Sequence, residues 1–262
     1  MGFLEGKKGL IYGVRNQRSI AWGCAQSLAR EGAELALTFL GEREEQDVKK
    51  LSPELGDAVK LIHGCDLTQP EQVESLHAAI KESLGQLDFV IHAVAFAKKE
   101  DLTNPFLETS VEGFGLALNV SAYTLVTAAR AAEPLMTEGG SILTLTYIGA
   151  DRVIPNYNVM GVAKAALESS VRYLAHELGP KKIRVNAISA GPVMTLSARG
   201  ISGFTGMYKS VAEVAPLRKA TDIDEVGDTA AFLCSHLSRG ITGETLYVDS
   251  GYHILGMLTG ME

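Results

Sequence analysis

The chain has 262 residues, 46% of them hydrophobic and 21% charged, with a formal net charge of −7. That length suits one large domain with a sizeable core, and the composition excludes a disordered chain. The acidic balance argues against a nucleic-acid binder, which ordinarily presents a basic face. Cys24, Cys65 and Cys234 are far apart and odd in number. They read as small buried hydrophobes in a reducing compartment, and not as a disulfide framework or a metal cluster. No run approaches the ~18 apolar residues of a membrane span, and the opening MGFLEGKKGL has no apolar signal segment. A cytoplasmic protein is expected.

Taken in chain order, short apolar runs alternate with longer amphipathic stretches. Strands are expected at Lys8–Tyr12, Glu34–Phe39, Ala58–His63, Leu87–His92, Ser141–Thr146, Ile183–Ile188 and Thr245–Val248. Helices are expected at Ser19–Glu31, Pro70–Leu84, Val111–Met136, Tyr157–Leu178 and Ile223–Cys234. The strand runs are continuously apolar, as in strands buried on both faces. The repeated β-then-α order predicts a doubly wound α/β domain, with a parallel sheet of about seven strands and helices on both faces. No repeat or linker divides residues 1–262, so one domain is expected. The stretch from Pro192 to Ala215 contains Gly200, Gly203 and Gly206 and follows a strand end, where open α/β sheets place their ligands. It reads as a mobile lid or short helical flap over residues 193–215, with a plain surface loop as the alternative.

The first strand runs into Gly13, and Ser19 is placed to cap the next helix. Such a helix presents its positive end and free amides to a pyrophosphate, although the G-x-G-x-x-G spacing is absent. Asp66, after the third strand, is either an acceptor for an adenine amino group or a turn aspartate. The small residues from Ala93 to Ala97 let a flat ring approach the backbone after the fourth strand, or form a tight turn. Near the end of the second strand stand Leu40, Glu42 and Arg43. A carboxylate there favours NAD and an arginine NADP. The balance leans to NADH, with NADPH as the alternative.

The richest segment holds Tyr147, Tyr157 and Lys164. Tyr157 and Lys164 are seven residues apart, about two helical turns, so a helix returns them to one face. An ammonium beside a phenol lowers the phenol's pKa and prepares it to donate a proton or stabilise an oxyanion. His63 and His92, at strand ends, read as packed and hydrogen-bonded side chains. No G-x-S-x-G stands at a strand-to-helix turn to suggest a hydrolase.

On these residues the chain resembles the short-chain dehydrogenase/reductases along nearly its whole length, and within them the bacterial NADH-dependent enoyl-acyl-carrier-protein reductases. The resemblance rests on Tyr147, Tyr157 and Lys164 around the string IPNYNVMGVAKAALE, and on GVRNQRSIAWG, RVNAISAGPVMT and GETLYVDSGY. Ordinary members of the superfamily place lysine four residues after tyrosine, where this chain has Gly161. The resemblance implies a Rossmann-like fold, and hydride addition to C3 of a trans-2-enoyl thioester in the last step of fatty acid elongation. Tyr157 would bond the thioester oxygen, Lys164 the cofactor ribose, and Tyr147 would line the thioester site. It further implies cofactor contacts at Gly13, Ser19, Ile20, Leu40, Asp66, Leu67, Val94, Lys164, Val193, Met194, Thr195, Leu196 and Ser197, and a substrate contact at Ala97. The implied partners are an acyl carrier protein bearing the enoyl group and three further copies of the chain in a homotetramer. Leu40 and Ala95 depart from the glutamine and glycine common in close relatives, and Arg199 and Lys209 are the basic residues nearest the flap. A carbonyl-directed reductase and a dinucleotide-binding protein without catalysis are the competing readings.

Overall fold

Each apolar run read as a strand is a strand in the computed structural model, which describes residues 2–196 and 204–256. These are β1 (Lys8–Tyr12), β2 (Glu34–Phe39), β3 (Val59–Gly64), β4 (Phe89–His92), β5 (Gly140–Thr146), β6 (Ile183–Ala190) and β7 (Thr245–Val248). They form one sheet in the order β3-β2-β1-β4-β5-β6-β7, and every pairing is parallel. The helices are α1 (Ile20–Arg30), α2 (Glu42–Leu51), α3 (Pro70–Ser83), α4 (Glu100–Thr103), α5 (Val111–Leu118), α6 (Thr124–Ala132), α7 (Asn158–Leu178), α8 (Phe204–Val214) and α9 (Ile223–Cys234).

Successive strand side chains point to opposite faces of the sheet. The apolar runs therefore fill two cores at once. Leu10, Val90 and Ile142 join Leu76, Leu125 and Leu167 of α3, α6 and α7 on one face. Their neighbours Ile11, Ile91 and Leu143 join Trp22, Leu28 and Leu233 of α1 and α9 on the other. Fully burying such a side chain stabilises the fold by about 1.5–3 kcal/mol relative to leaving it exposed. All three cysteines are free and buried, and burial pushes the Cys24 and Cys65 thiols up to about 12. They are inert at neutral pH, as expected for small core residues.

Two helical expectations need correction. The Val111–Met136 stretch is not one α-helix: a π-helical turn at Asn119–Tyr123 separates α5 from α6. Thr124 donates to the Val120 carbonyl at 2.6 Å and shares its hydroxyl with His92 at 2.9 Å, so a side chain ties this turn to the end of β4. The helix α2 was missed because only Val48 and Leu51 of its ten residues are buried. It has no apolar stripe to read. Glu42, Glu44 and Glu45 in its first turn and Lys49 and Lys50 in its last complement the helix dipole instead. Among the described residues no helix is long and apolar enough to cross a membrane.

The strand order reverses between β1 and β4, and this topological switch point opens a crevice at the carboxyl ends of the strands. Gly13 and Ala93 meet there. Gly13 has φ of 86° and a Cβ on it would lie 2.3 Å from the Ala93 carbonyl oxygen, so only glycine fits. Gly23 acts elsewhere. Its missing side chain lets α1 meet Ile223 at the start of α9, where a Cβ would come within 2.7 Å of the Ile223 carbonyl.

Candidate active site

All strands being parallel, the segments following β1 to β6 emerge along one edge of the sheet. The implied site residues lie in these segments or in α7. Gly13 follows β1, and Ser19 caps α1, accepting from the Trp22 amide. The amides of Ile20 and Ala21 have no acceptor within the helix. Leu40 follows β2 and is 69% exposed. Asp66 and Leu67 follow β3. One Asp66 oxygen takes the Thr68 amide and hydroxyl at 2.9 and 2.7 Å, so the aspartate shapes its own turn, and the Leu67 side chain is in the core. Val94 and Ala97 follow β4, half-buried. Val193, Met194, Thr195 and Leu196 follow β6, whereas Ser197 and Arg199 lie outside the described residues.

Tyr147, Tyr157 and Lys164 are brought together where β5 ends and α7 begins. The rings of Tyr147 and Tyr157 meet edge to face, with centroids 5.1 Å apart and planes at 70°. Tyr157 lies just before α7, between Asn156 and Asn158, whose φ angles are 63° and 38°. Asn158 donates to the Leu102 and Asn104 carbonyls at 3.0 and 2.9 Å, tying this left-handed start of α7 to α4. Lys164 is buried and donates to the Leu145 carbonyl at 2.7 Å.

The spacing of Tyr157 and Lys164 has a steric basis. The helix α7 rests on the turn Ile148–Ala150, and a Cβ at Gly161 would lie 2.8 Å from the Gly149 carbonyl oxygen. A lysine at that position, where ordinary superfamily members have it, does not fit. The next turn supplies Lys164 instead.

The charge states differ from expectation in one respect. Burial, with smaller contributions from Tyr147 and Glu168, holds the Tyr157 phenol well above its ordinary pKa, so it is neutral and not a phenolate. The Lys164 ammonium donates to the Leu145 carbonyl. Tyr147 is likewise raised, by burial first and then by Tyr252 and Asp249. Burial brings Lys164 down to about 8, while Glu168 opposes the shift. His92 is held between Thr144 and Thr124 at 2.9 Å each and is driven down to about 3 by burial and by Lys164. It is packed and hydrogen-bonded, as the sequence suggested, and it is neutral. The site is thus a neutral phenol, a protonated lysine and a neutral imidazole in a buried corner.

The helix α8 covers this corner from the flap, with the Tyr147 hydroxyl 3.7 Å from the Met207 sulfur. Phe204 and Val211 anchor α8 inward, so this part of the flap is helical. Sequence reasoning missed Met207, His92, Asn158, Thr146 and Glu168 as neighbours of the site. Of these, Glu168 alone carried a signal, standing one helical turn after Lys164.

The family model described as enoyl-(acyl carrier protein) reductase matches residues 13–253. The chain belongs to that family. Among the enoyl reductases most similar to it is the NADH-dependent enoyl-(acyl-carrier-protein) reductase of Bacillus cereus, 53% identical over 98% of this chain and 100% of its own length. The corresponding enzyme of Bacillus subtilis is 54% identical over 96% of this chain and 97% of its own. A crystal structure of the Bacillus cereus enoyl reductase with NADP+ and indole naphthyridinone superposes with a TM-score of 0.96 at 53% identity, covering 98% of this chain and 100% of that one. The Anaplasma phagocytophilum enoyl reductase in complex with NAD gives 0.94 at 50% identity, covering 99% and 98%.

Proposed function

We propose that this chain is the NADH-dependent enoyl-acyl-carrier-protein reductase of the fatty acid elongation cycle, acting through Tyr157 and Lys164. The observation that carries the reading is the neutral Tyr157 phenol one side chain away from Tyr147 and on the same corner as buried Lys164, with Gly161 closing the position used by carbonyl-directed relatives. The residues present fit a dinucleotide: a glycine-only switch point at Gly13, free first amides on α1 for a pyrophosphate, and a buried cation at the reacting end.

When bound, the nicotinamide supplies hydride to C3 of a trans-2-enoyl thioester. The Tyr157 hydroxyl donates to the thioester oxygen as negative charge develops there, and protonation at C2 completes the saturation. A neutral phenol suits this role, since it can donate where a phenolate cannot. Lys164 would hold the nicotinamide ribose and add positive field. Gly13, Ser19, Ile20, Leu40, Asp66, Leu67, Val94 and Val193 to Leu196 would line the cofactor, with Ser197, outside the described residues, next in the chain. Ala97 would touch substrate, Tyr147 would wall the thioester site, and the flap at 193–215, of which 197–203 lie outside the described residues, would cover the acyl chain. Residues 1–262 act as one domain in the cytoplasm, a reading the three free buried thiols support. The packed helices α5 and α7 and their flanks leave Leu107, Val111, Tyr123, Val162 and Tyr173 exposed, which supports a homotetramer built on that side. Lys209 on α8 is exposed and basic, as an acidic carrier protein requires.

Mixing the protein with NADH or NADPH and a trans-2-enoyl thioester is expected to oxidise cofactor, faster with NADH. Turnover of a ketone with none of any enoyl chain length would favour a carbonyl-directed reductase. Cofactor binding without either turnover would favour the non-catalytic reading.

A further inference from the structure

Three consecutive residues, the last two of β5 and the one after it, each hold a residue of α7 or the residue just before it. The Leu145 carbonyl accepts from Lys164 at 2.7 Å. The Thr146 hydroxyl donates to a Glu168 carboxylate oxygen, also at 2.7 Å. The Tyr147 ring packs against Tyr157. Two of these contacts belong to the reacting groups. The third, Thr146 to Glu168, has no part in the mechanism above, yet it joins a buried hydroxyl to a partly buried carboxylate one turn beyond Lys164.

We propose that Glu168, held by Thr146, is a positioning residue that fixes α7 on the end of β5 and keeps Lys164 in its ammonium form. This rests on the role given to Lys164 above. A buried ammonium is disfavoured by desolvation, and a carboxylate fixed one turn away offsets part of that cost. Among the described residues, Glu168 is the group that raises Lys164 against its burial. Burial lifts the Glu168 carboxyl itself, while Thr146, Arg172 and Lys164 favour its ionised form and Asp151 opposes it. The groups facing the pair from elsewhere are Tyr157, the neutral His92 of β4, Tyr247 of β7, which feels the Glu168 charge, and Asp151 after the Ile148–Ala150 turn, which acts on Glu168. None of these supplies a second negative charge to Lys164 itself. Its hydrogen bond to Thr146 holds the carboxylate against the end of β5, and its charge also raises the Tyr157 phenol, behind burial and Tyr147.

The sign follows from the lysine. Its charged form exists below about 8, so any property that needs the ammonium is present at neutral pH and is lost as pH rises through that value. Removing the negative charge of Glu168 lowers the lysine pKa further and brings the loss to lower pH. Glu168→Gln keeps an oxygen for the Thr146 hydroxyl and removes only the charge. Thr146→Val removes the hydrogen bond and keeps the charge. The two variants separate positioning from electrostatics.

The test measures two pH profiles from 6 to 10 on the full chain: kcat/KM for NADH-dependent reduction of a trans-2-enoyl thioester, and the Kd for NADH by nicotinamide fluorescence. Glu168→Gln is expected to move the basic limb of both profiles down by about one pH unit. Its loss relative to the parent protein is then about sixfold greater at pH 8.5 than at pH 6.5. Thr146→Val is expected to lower kcat several-fold across the range without moving the limb. A Glu168→Gln limb coincident with the parent limb in both profiles overturns the proposal, as does a Thr146→Val protein indistinguishable from the parent in kcat. Failure of the underlying reading looks different: the parent protein then reduces no enoyl thioester at any pH, while the NADH-binding profile still reports whether Glu168 sets the charge of Lys164.

Discussion

Replacing Tyr157 with phenylalanine is expected to lower kcat/KM for an enoyl thioester about a hundredfold, the usual loss when one donor to a developing oxyanion is removed. The Kd for NADH is expected to change by less than about threefold, because the hydroxyl contributes in the transition state and not to cofactor binding. The variant should fold, since the contact made by Tyr157 with Tyr147 is ring to ring, with centroids 5.1 Å apart, and phenylalanine keeps it. Steady-state kinetics and a cofactor titration on the same preparation check both parts. An unchanged rate would remove Tyr157 from the mechanism. No gain in activity is expected at high pH in the parent protein, because the phenol is held well above its ordinary pKa by burial and is the donor throughout the working range.

Lys164→Ala is expected to damage binding and turnover together. A hydrogen bond from a charged donor contributes about 1.5–3 kcal/mol, so the Kd for NADH should rise about ten- to a hundredfold. Turnover at saturating NADH should fall as well, because the positive field beside Tyr157 is lost. Lys164→Met, which fills the same space without the charge, distinguishes these effects from a packing defect: it should behave as the alanine variant does. NADH affinity close to that of the parent in both variants would mean that the lysine serves only to hold the Leu145 carbonyl.

Much of the architecture is legible in the sequence because the sheet is buried on both faces. A continuous apolar run such as Leu10-Ile11 has no other use than to feed two cores, and its ends coincide with the strand ends within a residue or two. What escaped is what polar contacts decide. The helix α2 is held by its charged ends, and the π-helical turn at Asn119–Tyr123 arises where Thr124 bonds back to Val120 and across to His92. The pair Tyr157 and Lys164 was legible from spacing, although the reason for that spacing was not. It lies in the Gly149 carbonyl, which a side chain at position 161 would strike. The spacing argument also assumed that Tyr157 is helical. It sits just before the helix, between two asparagines in left-handed conformations. The expected acidic phenol failed for a related reason. Sequence shows that an ammonium is near, but not that burial dominates the phenol's pKa. Glu168 stood inside the diagnostic string with no visible duty, because its partner Thr146 is distant in sequence and meets it only through the packing of α7 on β5.

The central claim is that this corner directs hydride to C3 of an enoyl thioester while Tyr157 stabilises charge on the carbonyl oxygen. The most direct measurement uses NADH deuterated at the transferring position of C4, a trans-2-enoyl thioester and ordinary water, with the product read by NMR. The account predicts deuterium at C3 of the saturated thioester and a solvent hydrogen at C2. Deuterium at C2, or on a carbinol carbon with the double bond intact, would contradict it.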